Sequence, residues 1–310
     1  MVTVAAVVVT RNRPALLKRR LDAIDAQTYA IHELVVVDNA SDEPTRELLA
    51  AETARRGAEF HAIRLEENTG GAGGFHEGMR AALPLPCTHM WLMDDDCEPE
   101  PDAMAELVAA AAIVGENAVL GSNVFDLNGE SINVQPISQR PGMNNMPQYA
   151  RYLADGLLEM KTLTFVSFLV STALVKKVGL PLKEFFIWAD DTEYCRRLAH
   201  FTRLYQVGKS RTKHLKSGDA SQRVFVEQDP RKIAQYHWLY RNRLFVNLKY
   251  DGLSSTDTIQ FIYRSFRDMV LSIKSGQFAR AKCQTILYGL WSGVAFARSM
   301  PKKDKLGLLD

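Results

Sequence analysis

The sequence predicts an α/β fold: a mostly parallel sheet flanked by helices, with a basic and aromatic helical extension at its C-terminus. Three observations predict it. Short uninterrupted apolar runs, rich in β-branched residues, alternate with segments whose apolar residues recur at helical spacing. The runs lack polar alternation, as strands covered on both faces require. Polar and charged clusters follow the runs directly, at the carboxyl ends where open parallel sheets bind ligands. The 310 residues, 46% hydrophobic and 24% charged, have ordinary globular composition, which excludes a disordered chain, a collagen and a small disulfide scaffold.

Residues 3–9, Thr-Val-Ala-Ala-Val-Val-Val, form the first buried strand. Pro14 suits the first turn of the helix that follows, whose inner face carries Leu17, Leu21 and Ile24. Leu34 to Val37 is a second strand ending in Asp38-Asn39-Ala40-Ser41, residues 43–56 are a helix, and Phe60 to Leu65 is a third strand. Asn68 to Gly74 reads as a glycine-rich turn leading into a helix from Phe75 to Leu83. Met90 to Met93 is a fourth strand running into Asp94-Asp95-Asp96, and Pro101 to Val114 is an Ala-rich helix. Residues 125–160, rich in Asn, Gln and Pro, read as a loop or lid. Residues 161–180 read as strand then helix, 190–201 as a helix, and 202–207 as the last strand of the body. This divides the chain into a body, residues 1–225, and a C-terminal helical region, residues 226–310.

Charge is unevenly placed. Arg231 to Asp310 holds fourteen Lys and Arg against five Asp and Glu, so the tail is net +9 and the remainder −7 within an overall +2. The tail is also rich in aromatics, among them Tyr236, Trp238, Tyr240, Phe266 and Trp291. Such a tail suits an anionic membrane surface or a contact with another subunit; the plainer reading is a helical subdomain with solvated charges. No nucleic-acid motif accompanies the charge, so no nucleic-acid partner is expected. The cysteines Cys87, Cys97, Cys195 and Cys283 form no CxxC pair, which argues for a reducing compartment over a zinc knuckle or disulfide framework. No apolar run reaches the ~18 residues of a membrane-spanning helix, and the N-terminus lacks the pattern of a secretory signal. The expected location is cytoplasmic, peripheral on the inner face of the cell membrane.

Four segments carry chemistry. Asp94-Asp95-Asp96 places three carboxylates at the end of a buried strand, where a hard divalent cation, Mg²⁺ or Mn²⁺, relieves their repulsion and shares substrate phosphates. The glycine run does not scan as GxGxxG and follows the third strand, so it is not a dinucleotide fingerprint; it can still hold a phosphate or let backbone approach a sugar. Asp38 and Arg13 suit a nucleotide base, a carboxylate for an imide and a planar fork for stacking. Asp190-Asp191, two residues ahead of Glu193, reads either as a capping box with Asp190 as the cap or as a cap plus a general base, with Asp191 favoured as the base. His214, beyond the last body strand, is either structural or a nitrogen ligand for the metal.

Together these residues resemble a family 2 glycosyltransferase of the GT-A fold. The pattern is Thr10-x-x-Arg13-Pro14, Val37-Asp38-Asn39-Ala40-Ser41, Asn68-x-Gly70-Gly71-Ala72-Gly73-Gly74, the triple Asp, Trp188-x-Asp190-Asp191-x-Glu193 and His214. The glycine run, the triple Asp, the Trp188 segment and Tyr240-Arg241-Asn242-Arg243 look most like bacterial galactofuranosyltransferases of the mycobacterial type. The resemblance implies UDP-galactofuranose as donor, bound by Thr10, Arg13, Asp38, Asn68, Gly70, Gly71, Asp94 and Asp95. It implies Mn²⁺ or Mg²⁺ on Asp94, Asp96 and His214, with Asp191, or its neighbour Asp190, as catalytic base in an inverting transfer. It implies that Trp188 packs on the acceptor, a glycan or lipid-linked glycan carried on a polyprenyl diphosphate. Ala189 departs from the Trp-Asp-Asp form common in the family, which keeps both aspartates in play. The readings that compete are a rhamnosyltransferase or other sugar transferase of the same fold, a nucleotidyltransferase, and a non-catalytic nucleotide- or glycan-binding module. The nucleotidyltransferase reading lacks the glycine-rich loop it needs after the first strand.

Overall fold

In the computed structural model, residues 1–142, 144–215 and 223–300 are described. The first half alternates strand and helix as the sequence predicts: β1 (Val4–Thr10), α1 (Pro14–Asp25), β2 (Glu33–Asp38), α2 (Glu43–Arg56), β3 (Phe60–Arg64), α3 (Gly70–Ala82) and β4 (His89–Asp94). These four strands are parallel and adjacent in the order β3-β2-β1-β4. Successive residues of each strand point to opposite faces. Val7 and Val9 of β1, Val35 and Val37 of β2 and Leu92 of β4 enter one core with Phe75 and Met79 of α3. Val4, Val8, Val36, Trp91 and Met93 enter a second core with Leu17 and Leu21 of α1. Both faces are therefore covered, which is why the strands read as continuous apolar runs.

The second half is mixed. β5 (Cys97–Pro99), α4 (Ala103–Val114), β6 (Val119–Phe125), β7 (Leu157–Met160), β8 (Phe168–Ser171), α5 (Thr172–Val178), α6 (Asp190–Leu198) and β9 (Leu204–His214) follow. The sheet continues β4-β8-β6-β9-β5, with β7 also on β9. β8 is antiparallel to β4 and β6, β9 is parallel to β6, and β5 and β7 are antiparallel to β9.

Several expectations are corrected here. The glycine run is not a turn; α3 begins at Gly70. A Cβ on Gly74 would overlap Val9, and one on Gly78 would lie 2.5 Å from Val7 Cγ1. Glycine therefore lets the helix axis sit close on the strands. α4 starts at Ala103, and α6 stops at Leu198. The supposed loop at 125–160 ends in a strand, β7. The last body strand runs on to His214 because its polar second half pairs with β5 and β6, so His214 ends that strand and does not follow it. Lys216 to Gly218, the end of the His214 segment, and Lys302, Lys303 and Lys305 of the basic tail lie outside the described residues.

Three helices close the described chain: α7 (Pro230–Tyr250), α8 (Thr256–Ser275) and α9 (Ala279–Ser299). Phe245 and Val246 of α7 and Phe296 of α9 pack with Ala72, Leu182 and Phe185 of the body. No helix among the described residues is long and apolar enough to cross a membrane.

Candidate active site

The ends of β1, β2 and β4 bring the predicted donor residues into one crevice. Thr10 and Asp38 are register partners, and Val9 pairs with Asp94. The triple Asp divides its work. Asp95 is buried and accepts hydrogen bonds from Thr10 Oγ1 at 2.7 Å and from Arg13 Nη1 at 3.0 Å. Arg13 Nη1 also donates to Asp96 at 2.9 Å. Beneath them lies Arg20, 1% exposed on the inner face of α1, whose Nε and Nη2 donate to the Asp94 carbonyl. Its buried cation offsets the field of the three acids. Burial pushes the Asp94 carboxyl well above the ordinary range, and Asp96, Asp95 and Asp190 add to the rise.

The same crevice offers donor atoms to a divalent cation. β5 places Cys97 opposite His214, and His214 Nε2 lies 3.3 Å from Asp96 Oδ1. The ligating atoms of Asp96, Cys97 and His214 all lie within 4.8 Å of one another. His214 Nδ1 is buried with no hydrogen-bond partner among the described residues. Burial raises the Cys97 thiol well above its usual pKa. Carboxylate plus imidazole suits Mn²⁺, which the residues present fit. Asp94 lies beside this group without belonging to it.

The remaining donor candidates are wired into the scaffold. Asp38 is buried; one oxygen accepts from the Ser41 amide at 2.8 Å and the other pairs with Arg64. Asn68 Oδ1 accepts from the Gly70 amide at 3.0 Å, at the start of α3. Asn39, a site residue the sequence reading quoted without a role, accepts from the Thr69 amide and donates to the Gly70 carbonyl. Gly70 has φ +71°, and a Cβ there would overlap the Phe186 backbone. Gly71 faces open space.

That contact leads to the second acid cluster. Phe186, Trp188 and Ala189 all have positive φ, at 61°, 65° and 63°. Left-handed backbone costs non-glycine residues about 1–3 kcal/mol each and persists only where surroundings over-determine it. Here they do. Asn242 of α7, fully buried, donates through Nδ2 to the carbonyls of Phe185 (2.8 Å), Ile187 (3.0 Å) and Trp188 (2.9 Å). The Ala72 amide of α3 donates to the Phe186 carbonyl at 3.1 Å. Trp188 packs on Tyr236 with ring centroids 5.2 Å apart.

The strained turn delivers Asp190 and Asp191 to the first turn of α6. The capping-box reading is corrected. Ala189 is the N-cap and accepts no side-chain role. Glu193 is fully buried in an ion pair with Arg197 at 2.9 Å and accepts from Tyr250 at 2.7 Å. Burial and the neighbouring Asp191 push Asp190 up to about 7. Burial also raises Asp191, against hydrogen bonds from Thr192 and the charge of Arg243. Asp190 is thus the electrostatic neighbour of Asp94, and Asp191 that of Arg243. The structure joins the two acid clusters that lie far apart in sequence. Arg20 carried no readable signal, and Asn242 and Arg243 were legible only as part of the Tyr240-Arg241-Asn242-Arg243 resemblance, which gave them no role.

The model of the family described as glycosyl transferase family 2 matches residues 5–179. The galactofuranosyltransferase GlfT1 of Mycolicibacterium smegmatis is 30% identical over 199 residues, which cover 63% of this chain and 65% of that protein. GlfT1 of Mycobacterium tuberculosis is 30% identical over 203 residues, 63% of this chain and 64% of that one. The chain thus spans just under two thirds of the length of these relatives. Among solved structures, Staphylococcus aureus TarS residues 1–349 aligns with TM-score 0.57 at 14% identity, covering 97% of this chain and 93% of that one. GalNAc-T7, solved with UDP, GalNAc and Mn²⁺, aligns with TM-score 0.59 at 15% identity, covering 86% and 55%. These likenesses identify the fold as GT-A.

Proposed function

The chain belongs to glycosyl transferase family 2, and we propose that it transfers galactofuranose from UDP-galactofuranose to a hydroxyl of a glycan acceptor, with inversion. One observation carries the reading: a strained turn holds an acid pair against a crevice lined by the triple Asp and His214, in a chain 30% identical to galactofuranosyltransferases.

Uridine would lie near Thr10, Arg13, Asp38 and Asn68, with the diphosphate at Gly70, Gly71, Asp94 and Asp95. Asp96 and His214, beside Asp94, would hold Mn²⁺ or Mg²⁺. Bound there, the ion would neutralise the charge developing on the leaving diphosphate. Asp191 takes the proton from the acceptor hydroxyl as its oxygen forms the new bond to the anomeric carbon. The anomeric C–O bond to phosphate breaks from the opposite face, and its electron pair leaves with UDP. Asp191 fits the base because the charge that acts on it is that of Arg243, whereas Asp190 is the one whose charge acts on Asp94 of the donor crevice. Trp188 would pack on the acceptor sugar.

The acceptor would be lipid-linked, met at the inner face of the membrane by the helical region after residue 225. Exposed Ile259, Tyr263, Phe266, Val270 and Ile273 recur at spacings of four and three along α8 and give that region an apolar stripe. Arg264, Arg267 and Lys274 flank it, as on an interfacial helix.

The test is UDP release from a panel of UDP-sugars with Mn²⁺, for wild type and Asp191→Ala, with the anomeric configuration of the product read by NMR. Turnover of UDP-galactofuranose to a β-linked product, lost in the variant, is expected. Preference for another donor, or retention of configuration, sinks the reading. Co-sedimentation with anionic vesicles, abolished in Tyr263→Ser/Phe266→Ser, tests the membrane contact.

A further inference from the structure

Next to Asp190-Asp191, a chamber of about 560 Å³ opens between α6, α7, α8 and the segment at Val134–Pro136. That is the size of a small-molecule site. Ala189 and Thr192, the residues flanking the acid pair, line its inner end, and no residue of the donor crevice lines it.

Its cations fall into two sets. Lys161, Arg196 and Arg267 are each paired, with Asp257 (2.7 Å), Asp251 and Asp268 (3.2 Å) respectively. Arg223, Arg243 and Arg264 also line the chamber and form no ion pair with any carboxylate among the described residues. Arg243 and Arg264 repel one another: burial lowers the pKa of Arg243, Asp191 opposes that and Arg264 adds to it. Three guanidinium groups line one chamber, whose carboxylates Asp257, Asp251 and Asp268 are ion-paired with its other three cations, Arg264 adding its field to Asp257. Guanidinium forks recognise phosphate oxygens in pairs, and such charge-assisted bonds are the strong ones.

We infer that Arg223, Arg243 and Arg264 form a diphosphate-binding subsite for the acceptor, holding the phosphorylated end while its sugar hydroxyl reaches Asp191. This rests on Asp190-Asp191 being the transfer centre. A diphosphate reaches the chamber either as part of a lipid-linked acceptor or as free pyrophosphate.

Calorimetry on the full chain in chelator, without divalent metal, uses inorganic pyrophosphate as the probe. Pyrophosphate should bind, and the Kd should rise about tenfold in Arg264→Gln and about a hundredfold in Arg223→Gln/Arg264→Gln, for one and two lost charge-assisted contacts. UDP affinity in Mn²⁺ should be the same in both variants, which also reports that they fold. In transfer assays, the double variant should raise KM for a prenyl-diphosphate-linked disaccharide and leave KM for the uncharged octyl glycoside of that disaccharide unchanged. Arginine-dependent pyrophosphate binding with an unchanged KM for the diphosphate-linked acceptor in the double variant would assign the site to the free anion and overturn the acceptor role. Absent pyrophosphate binding, or binding indifferent to the arginines, overturns the subsite outright. Arginine-dependent pyrophosphate binding in a protein that turns over no UDP-sugar would leave the subsite standing and sink the transfer reading instead.

Discussion

Asn242 is the residue on which the placement of the acid pair depends most directly. Its side chain has two N–H hydrogens and serves three carbonyls, one buried and two half-buried, at 2.8, 3.0 and 2.9 Å. Those carbonyls belong to the turn whose Phe186, Trp188 and Ala189 are left-handed. Asn242→Ala leaves these acceptors unpaired, at about 1–3 kcal/mol for a buried one. The strain in the turn supplies a local way out, since each left-handed residue releases about 1–3 kcal/mol on relaxing. The turn should therefore move before the domain unfolds. A destabilisation of about 2 kcal/mol lowers Tm by about 3 °C in a chain of this size. Misplacing a catalytic group by about 1 Å costs about a hundredfold in rate, so kcat should fall far more than stability implies. Asn242→Asp keeps the shape and aims a carboxylate at three carbonyls, so it should be worse than alanine on both measures. The diagnostic is the pH–rate profile. Burial raises Asp191, the base, in the intact turn, and a relaxed, wetter turn should carry the acid limb of the profile toward the ordinary carboxylate range. Kinetics across pH, run beside thermal melts, check this. Wild-type kcat and an unmoved acid limb in Asn242→Ala, with the Tm loss present, would refute the positioning role.

Asp190→Asn should raise stability while lowering transfer. Burial and Asp191 hold the folded pKa above the unfolded one, so the charge on Asp190 disfavours the fold as pH rises from about 4 through about 7; melts at pH 8 should show a higher Tm for the variant, and at pH 4 little difference. Gly74→Ala drives a Cβ into Val9 and should destabilise by about 1–3 kcal/mol. Gly71→Ala meets nothing, should hold or slightly raise Tm, and should weaken UDP-sugar binding; denaturant melts paired with UDP calorimetry separate the two. His214→Ala removes the nitrogen donor of the Asp96–His214 pair. It should weaken Mn²⁺ binding by at least about tenfold, read by electron paramagnetic resonance of free Mn²⁺, and an unchanged Mn²⁺ affinity would remove His214 from the metal site.

The parallel half of the fold was legible because β1, β2 and β4 are covered on both faces, so burial alone dictates their composition. The acid triplet was legible because three adjacent carboxylates after such a strand have few bland explanations. β6 (Val119–Phe125) escaped because Gly121, Ser122 and Asn123 interrupt its apolar run; it is a strand through its partners β8 and β9, which come later in the chain. The glycine run misled for a related reason. Glycine locally favours a turn, but here the demand comes from Val7 and Val9 more than sixty residues away, which leave no room for a Cβ. The same logic governs the site. Asp190-Asp191 preceding Glu193 has the local form of a capping box, yet Glu193 is claimed by Arg197 and Tyr250, and the cap falls to a left-handed Ala189. What makes the two aspartates an acid pair is the turn before them, and what holds that turn is an asparagine fifty-odd residues downstream. No local pattern marks such a residue, since its chemistry is set by the three carbonyls it meets. A sequence therefore exposes groups whose role is to be charged at a strand end sooner than groups whose role is to hold another segment in an unfavourable shape.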